Sequence, residues 1–269
     1  MKTSTSIMAA VLAIFACAVP AAAQREERSL SCDRESSNRN RLVTHCEMRE
    51  QTVAFAGRLS VDPGMNGGVS IKGWDQPNVL IRSKVEASAV DESTAKVLSA
   101  QIHVDYSGSV VTTNGPSNNR DQNWSVSHEI FVPRNADLDL KTVNGGISIS
   151  GVRGNIRFTA KNGGVSLKRV AGDVEGTTQN GGLAVELAGN HWDGNKLDVR
   201  TVNGGVNVSM PQNYSAHLET ATTNGNLNVD FPMTVHGEIG KTLVTDIGSG
   251  GPTIHIETKN GGVNVKRAM

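Results

Sequence analysis

Residues of the types that carry out chemistry are spread through this chain, and their spacing decides what they can do. Glycoside cleavage needs two carboxylates roughly 5 to 10 Å apart on one face. Short alternating runs follow each Asn-Gly-Gly tripeptide, and their outward positions form two columns if the runs stack. One column reads Ser70, Ser148, Ser166, Ala184, Asn207, Asn228 and Asn264. The other reads Lys72, Ser150, Lys168, Glu186, Ser209, Asp230 and Lys266. Only Glu186 and Asp230 are acidic, with Ser209 between them, so no carboxylate pair emerges. A mid-repeat column of Arg157, Glu175, Asp198 and Glu219 reads as a solvated face of alternating charge.

The histidines are scattered. His128 is in phase with the apolar Val126 and Ile130, which predicts a partly buried structural role. His103, His217 and His255 fall on polar phases of separate strands, and no His-x-His or His-Glu-x-x-His occurs. No catalytic, cofactor-binding or metal site is expected, and no cofactor. The Gly-Gly pairs fall between strands rather than before a helix, which excludes a nucleotide fingerprint. Trp192 stands in a surplus hexapeptide, GNHWDG. Its ring could stack on a sugar or a partner, or fold back over the structure as a lid; large aromatics are seldom left exposed, which favours the lid.

Of the cysteines, Cys17 lies in an apolar leader, and Cys32 and Cys46 remain to pair with each other in an exported chain. The leader carries Lys2, an apolar stretch over 7–19, and an A-x-A pattern at Ala21 and Ala23. It reads as a signal peptide over 1–23, too short for a membrane span. Ile14-Phe15-Ala16-Cys17 loosely matches a lipidation box, but Phe15 is bulky where a small residue is usual. Basic and acidic residues number 26 each, so no nucleic-acid partner is implied.

The elements that must position these residues come from a repeat. Asn-Gly-Gly begins at Asn66, Asn144, Asn162, Asn180, Asn203 and Asn260, with Asn-Gly-Asn at Asn224. The steps from Asn144 to Asn162 and from Asn162 to Asn180 are both 18 residues. Each copy opens with apolar residues alternating with small or polar ones, as in Val165-Ser-Leu167 and Val206-Asn-Val208, the mark of a half-buried strand. A second strand lies mid-repeat, as in Ile156-Arg-Phe158. Asn and Gly permit a sharp corner, which predicts positive φ at Gly163 and Gly181. Asn-Gly also signals hairpins, and hence an antiparallel meander. Repetition of equivalent residues favours an all-β, right-handed parallel β-solenoid whose corner asparagines stack as a ladder.

These repeats, the GDVEGTTQNGG link and the leader resemble the bacterial "putative adhesin" family, over about 61–267. The resemblance implies an exported β-helical repeat domain at the cell envelope and brings no catalytic motif. The expected organisation is a signal peptide (1–23), an extension holding the disulfide (24–60) and the solenoid (61–269). Within the solenoid, 61–135 forms a cap containing a short helix over 91–100, and 136–269 carries the regular repeats. The expected function is a non-enzymatic scaffold in the periplasm or at the cell surface, with an envelope protein or glycan as partner. A carbohydrate-active β-helix enzyme and an accessory protein in envelope-stress signalling are the alternatives.

Overall fold

The computed structural model describes residues 29–33, 42–230 and 240–268; the leader and Cys17 lie outside them. The amino-terminal part runs β1 (Val43–Ala54), β2 (Arg58–Asp62), β3 (Val69–Trp74), β4 (Asn78–Ala89), α1 (Glu92–Ala100), β5 (His103–Ser107), β6 (Val110–Asn114) and β7 (Gln122–Pro133). The regular repeats then alternate long and short strands. They are β8 (Asp137–Asn144), β9 (Ile147–Ser150), β10 (Arg153–Asn162), β11 (Val165–Lys168), β12 (Ala171–Asn180) and β13 (Leu183–Glu186). They continue with β14 (Lys196–Asn203), β15 (Val206–Met210), β16 (Ala216–Asn224) and β17 (Leu227–Asp230), and the chain closes with β18 (Thr242–Ile247), β19 (Thr253–Asn260) and β20 (Val263–Arg267).

These strands form two ten-stranded sheets. The first runs β1-β4-β7-β3-β9-β11-β13-β15-β20-β17, and the second β18-β16-β19-β14-β12-β10-β8-β2-β6-β5. Each repeat gives one strand to each sheet, and the Asn-Gly-Gly of that repeat lies between them. Pairing through the repeats is parallel and in register, with Asn162 opposite both Asn144 and Asn180. The architecture is therefore all-β and solenoid-like.

The ends depart from a purely parallel coil. β1 pairs antiparallel with β4 along its whole length, β4 antiparallel with β7, β5 with β6, and β16 with β18. Terminal strands have no further rung to stack on, and antiparallel neighbours satisfy their outward N–H and C=O groups. The helix begins where Asp91 caps it, accepting a hydrogen bond from the Thr94 N–H. Its Leu98 joins Val85, Ala87, Ile102, Trp124 and Val126 in a small satellite core.

The order of rungs also differs from the order of the chain. β19 and β20 follow β16 and β17 in sequence, yet they lie between them and the β14–β15 rung. The outward column that reads Ser209, Asp230, Lys266 along the chain therefore reads Ser209, Lys266, Asp230 in space.

The core fills the space between the sheets with one layer per rung, for example Leu138, Leu140, Ile147 and Ile149, all buried. Its large rings are few; Trp192 and Tyr214 are the largest fully buried side chains among the described residues. Burying each Val, Leu or Ile contributes about 1.5–3 kcal/mol.

Candidate functional site

The corner asparagines form a continuous amide ladder. Asn144 donates to Asn66 (3.1 Å), Asn162 to Asn144 (2.9 Å), Asn180 to Asn162 (2.8 Å) and Asn203 to Asn180 (2.8 Å). The ladder continues through the inserted rung: Asn260 donates to Asn203 (2.7 Å) and Asn224 to Asn260 (2.8 Å). Within the ladder each interior carboxamide spends its oxygen and one N–H on its neighbours.

A second ladder went unread in the sequence. A threonine two residues before the asparagine is buried in five repeats. In four of them its hydroxyl donates to the first-glycine carbonyl of the adjacent rung, while the Thr142 hydroxyl has no partner among the described residues. The pairs are Thr178 to Gly163 (2.8 Å), Thr201 to Gly181 (2.7 Å), Thr258 to Gly204 (2.8 Å) and Thr222 to Gly261 (2.7 Å). The recurring Thr-x-Asn-Gly was the signal that could have found it.

The expected positive φ does not occur at Gly163 or Gly181. What these residues require is room. A Cβ at Gly163 would lie 2.1 Å from the Gly145 carbonyl oxygen, and one at Gly181 2.1 Å from that of Gly163. Stacked corners approach too closely for any side chain there.

The outer face of the first sheet carries the two predicted columns. Glu186 on β13 pairs with Arg169 at 3.5 Å, and Asp230 on β17 with Arg267 at 3.6 Å. β15 and β20 stand between these carboxylates. Three strand spacings separate them by roughly 14 Å, outside the glycosidase range. Ala184 lies between Ser166 and Asn207 in the register and opens a shallow depression of about 170 Å³, also lined by Lys168, Glu186 and Lys266. Beyond it runs a shorter amide row, Asn228 donating to Asn264 (3.0 Å) and Asn264 to Asn207 (3.3 Å).

At the other end of this face stand two half-buried aromatic rings that the sequence reading passed over. Trp74 and Phe131 have ring centroids 5.6 Å apart, tilted by 38°. The Lys72 ammonium is 5.7 Å from the Phe131 centroid and 3.0 Å from a Glu129 oxygen. Glu129 is buried and also takes a bond from Arg82, whose other partners are Glu50 (2.7 Å), Ser29 (2.7 Å) and the Leu30 carbonyl (3.4 Å). The Cys32–Cys46 disulfide, with Cα atoms 5.7 Å apart, ties residues 29–33 to β1 beside this cluster.

On the outer face of the second sheet the inserted rung changes the expected column. β19 places His255 between Asp198 and Glu219, which chain order would have made neighbours. The His255 ring meets Asp198 at 3.0 Å. His217 on β16 meets Asp246 at 2.7 Å and Glu219 at 3.4 Å. The Asp246 hydrogen bond, with the charges of Asp246 and Glu219, raises the His217 pKa above its ordinary value. This face is an open sheet surface.

His128 is buried inside the coil, its Nδ1 2.9 Å from the Ser83 hydroxyl and its Nε2 3.1 Å from the Thr113 hydroxyl. Burial pushes its pKa down to about 4. The ring thus ties β4 and β7 of one sheet to β6 of the other, out of reach of a substrate. Trp192, named above as a candidate contact for a partner, is 2% exposed, and its indole N–H donates to the Gly172 carbonyl at 3.0 Å. The ring closes over the rung below it as a lid, and its face is not open to a partner. Among the described residues, no group of three or more His, Cys, Asp or Glu is placed to hold a metal ion.

Two in-register sheets joined through glycine-rich corners define an all-β, solenoid-like scaffold. The chain belongs to the Toastrack DUF4097 family, whose model matches residues 57–266. This agrees with the adhesin-like family that the repeats resemble. Among solved structures, a "putative cell adhesion protein" from Clostridium sporogenes is 14% identical, with a TM-score of 0.42, over 83% of this chain and all 100% of that one. A "putative adhesin" from Bacteroides fragilis is 13% identical over 83% of this chain and 97% of its own, with a TM-score of 0.33. A "putative lipid binding protein" from Parabacteroides distasonis is 12% identical over 82% and 96%, with a TM-score of 0.27. No curated protein matches the chain.

Proposed function

We infer that the protein is a non-enzymatic, exported scaffold of the cell envelope whose rigid outer face engages an envelope protein or glycan, as an adhesin does. The observation that carries this reading is the outer face of the first sheet. From β3 to β17 its outward side chains form one column of serine, alanine and asparagine and a second of serine and charged residues, held in register by the strand ladder, with the Trp74–Phe131 pair at one end. Repeat scaffolds use such extended faces for binding. Aromatic rings beside hydroxyls, amides and a lysine suit a polar polymer lying across the strands.

The disulfide supports export, since such bonds persist in oxidising compartments. On this reading 1–23 is a signal peptide, 24–60 an extension tied down by Cys32–Cys46, and 61–269 the solenoid with its cap. The compartment is the periplasm or the cell surface. The coil is right-handed, as parallel crossovers are by chirality, and the seven corner asparagines serve structure rather than binding.

The test is capture from envelope extracts by the intact protein and by a Ser166→Arg/Ala184→Arg variant. Both substitutions add bulk and charge to the outer face and leave the core untouched. Loss of the captured material with an unchanged melting temperature is the expected result. Equal capture by the two proteins would remove this face from the account.

A further inference from the structure

The inserted rung has a consequence for how copies of this chain can associate. β19–β20 fills a slot with two edges, β14–β15 on one side and β16–β17 on the other. It makes ladder bonds to both: Gly204 N–H donates to Asn260 C=O (3.0 Å), and Gly261 N–H to Asn224 C=O (3.0 Å). Ile254, Ile256, Val263 and Val265 bury their side chains there. The rung is nearly interchangeable with its neighbour, since 203–208 and 260–265 are the same hexapeptide, Asn-Gly-Gly-Val-Asn-Val. The slot therefore lies between two rungs that precede its occupant in the chain, and a segment from farther along fills it.

The path into the slot is a hook. From β18, on the outer side of β16, the chain turns through 248–252 around the start of β16 and enters on its inner side. Ser249 holds the hook to Ser215, backbone N–H and hydroxyl each 3.2 Å from the Ser215 hydroxyl, and His217 N–H donates to Pro252 C=O at 3.2 Å. Gly248, Gly250 and Gly251 take positive φ there. The hook contacts and the antiparallel β16–β18 pairing hold the start of β19 beside its own slot, so the hook is the segment that must open for β19–β20 to reach an identical slot nearby.

We propose that the slot between β14–β15 and β16–β17 is an association site for a second copy of this chain, filled by the partner's β19–β20 when the hook opens. Reciprocal filling restores every ladder bond and closes as a two-fold dimer. Side chains buried on both sides hold the rung once it is seated, so exchange takes place during folding rather than between folded molecules.

Two full-length variants test this, each with Cys17→Ser and with Cys32–Cys46 kept as the disulfide. One carries Ser209→Cys on β15, the other Lys266→Cys on β20; these residues face each other across the strand pair. Neither can link internally at this pair, so a covalent heterodimer reports a partner's rung in the slot. After joint refolding, heterodimer should form in a yield that rises with protein concentration. It should far exceed that of a control pair with Lys168→Cys in place of Lys266→Cys. Equal yields from the two pairs, or no heterodimer, would overturn the proposal. Deleting Gly250 and Gly251 gives an independent reading: the shortened hook cannot return, so a folded dimer is expected, and a folded monomer would overturn it. If that variant does not fold, the cross-linking result decides alone.

Discussion

Gly163→Ala adds one methyl group where the corners leave no room for it. The new Cβ would lie 2.1 Å from the Gly145 oxygen, 2.5 Å from its carbonyl carbon and 2.8 Å from the Gly146 nitrogen, all backbone atoms of the next rung. Restoring ordinary contact requires the corners to part by more than about 1 Å. That displacement would break the Gly145 N–H to Asn162 C=O and Ile147 N–H to Gly164 C=O bonds, both now 3.0 Å. It would also stretch the Asn162–Asn144 amide contact of 2.9 Å. Lost hydrogen bonds at about 1 kcal/mol each, with the strain of overpacking, give about 2–4 kcal/mol. For a chain of this size that lowers Tm by roughly 5–15 °C. Gly164 is the control: its Cβ would meet the Gly182 oxygen at 3.4 Å, an ordinary contact, and its φ is not positive. Gly164→Ala should stay within about 1 kcal/mol of the parent. Thermal and urea melts of both variants decide the matter. Equal stabilities would refute the close-approach argument. A Gly163→Asn variant stable where Gly163→Ala is not would point back to a left-handed backbone, which asparagine tolerates.

Three further outcomes are expected. Asn162→Ala removes the bond it donates to Asn144 and the bond it accepts from Asn180, so urea melts should show a loss of about 1–2 kcal/mol. His128 is held neutral with a pKa of about 4 against about 6.5 unfolded. The unfolded chain therefore binds the extra proton between those values, and stability should fall by about 3 kcal/mol as pH drops through that window. A His128→Gln variant should lack that part of the pH profile; an unchanged profile would place the slope elsewhere. Replacing Cys32 and Cys46 with serine should cost about 3 kcal/mol in the chain-entropy picture, measured by melts of the variant against the oxidised parent.

The repeats were legible in the sequence because each residue type answers to one local requirement. Asn-Gly-Gly marks corners, and alternation marks strands with one buried side. Ile147, Ile149, Val165 and Leu167 are accordingly buried in neighbouring layers. Asp91 announced the helix through its cap. The positive φ expected at Gly163 and Gly181 does not occur, and the close approach of a neighbouring rung at those positions does not show in a single chain. Rung order was not legible either. The identical hexapeptides at 203–208 and 260–265 carry no mark of which stacks on which. The meeting of His255 with Asp198 depended on that order, so the second outer face could not be drawn. Glu129 and Arg82, and the rings of Trp74 and Phe131, come together from strands far apart in sequence. No periodic pattern links them.

The stack order carries both the outer face and the shared slot, and native-state hydrogen exchange tests it most directly. β19 has neighbours on both sides, whereas β18 and β17 lie at sheet edges. Amides of Thr253–Asn260 should therefore be protected as strongly as those of Lys196–Asn203, and those of Thr242–Ile247 should exchange much faster. Exchange of Thr253–Asn260 at the rate of the edge strand, with Ala216–Asn224 fully protected, would mean that the rungs follow chain order and would contradict the account.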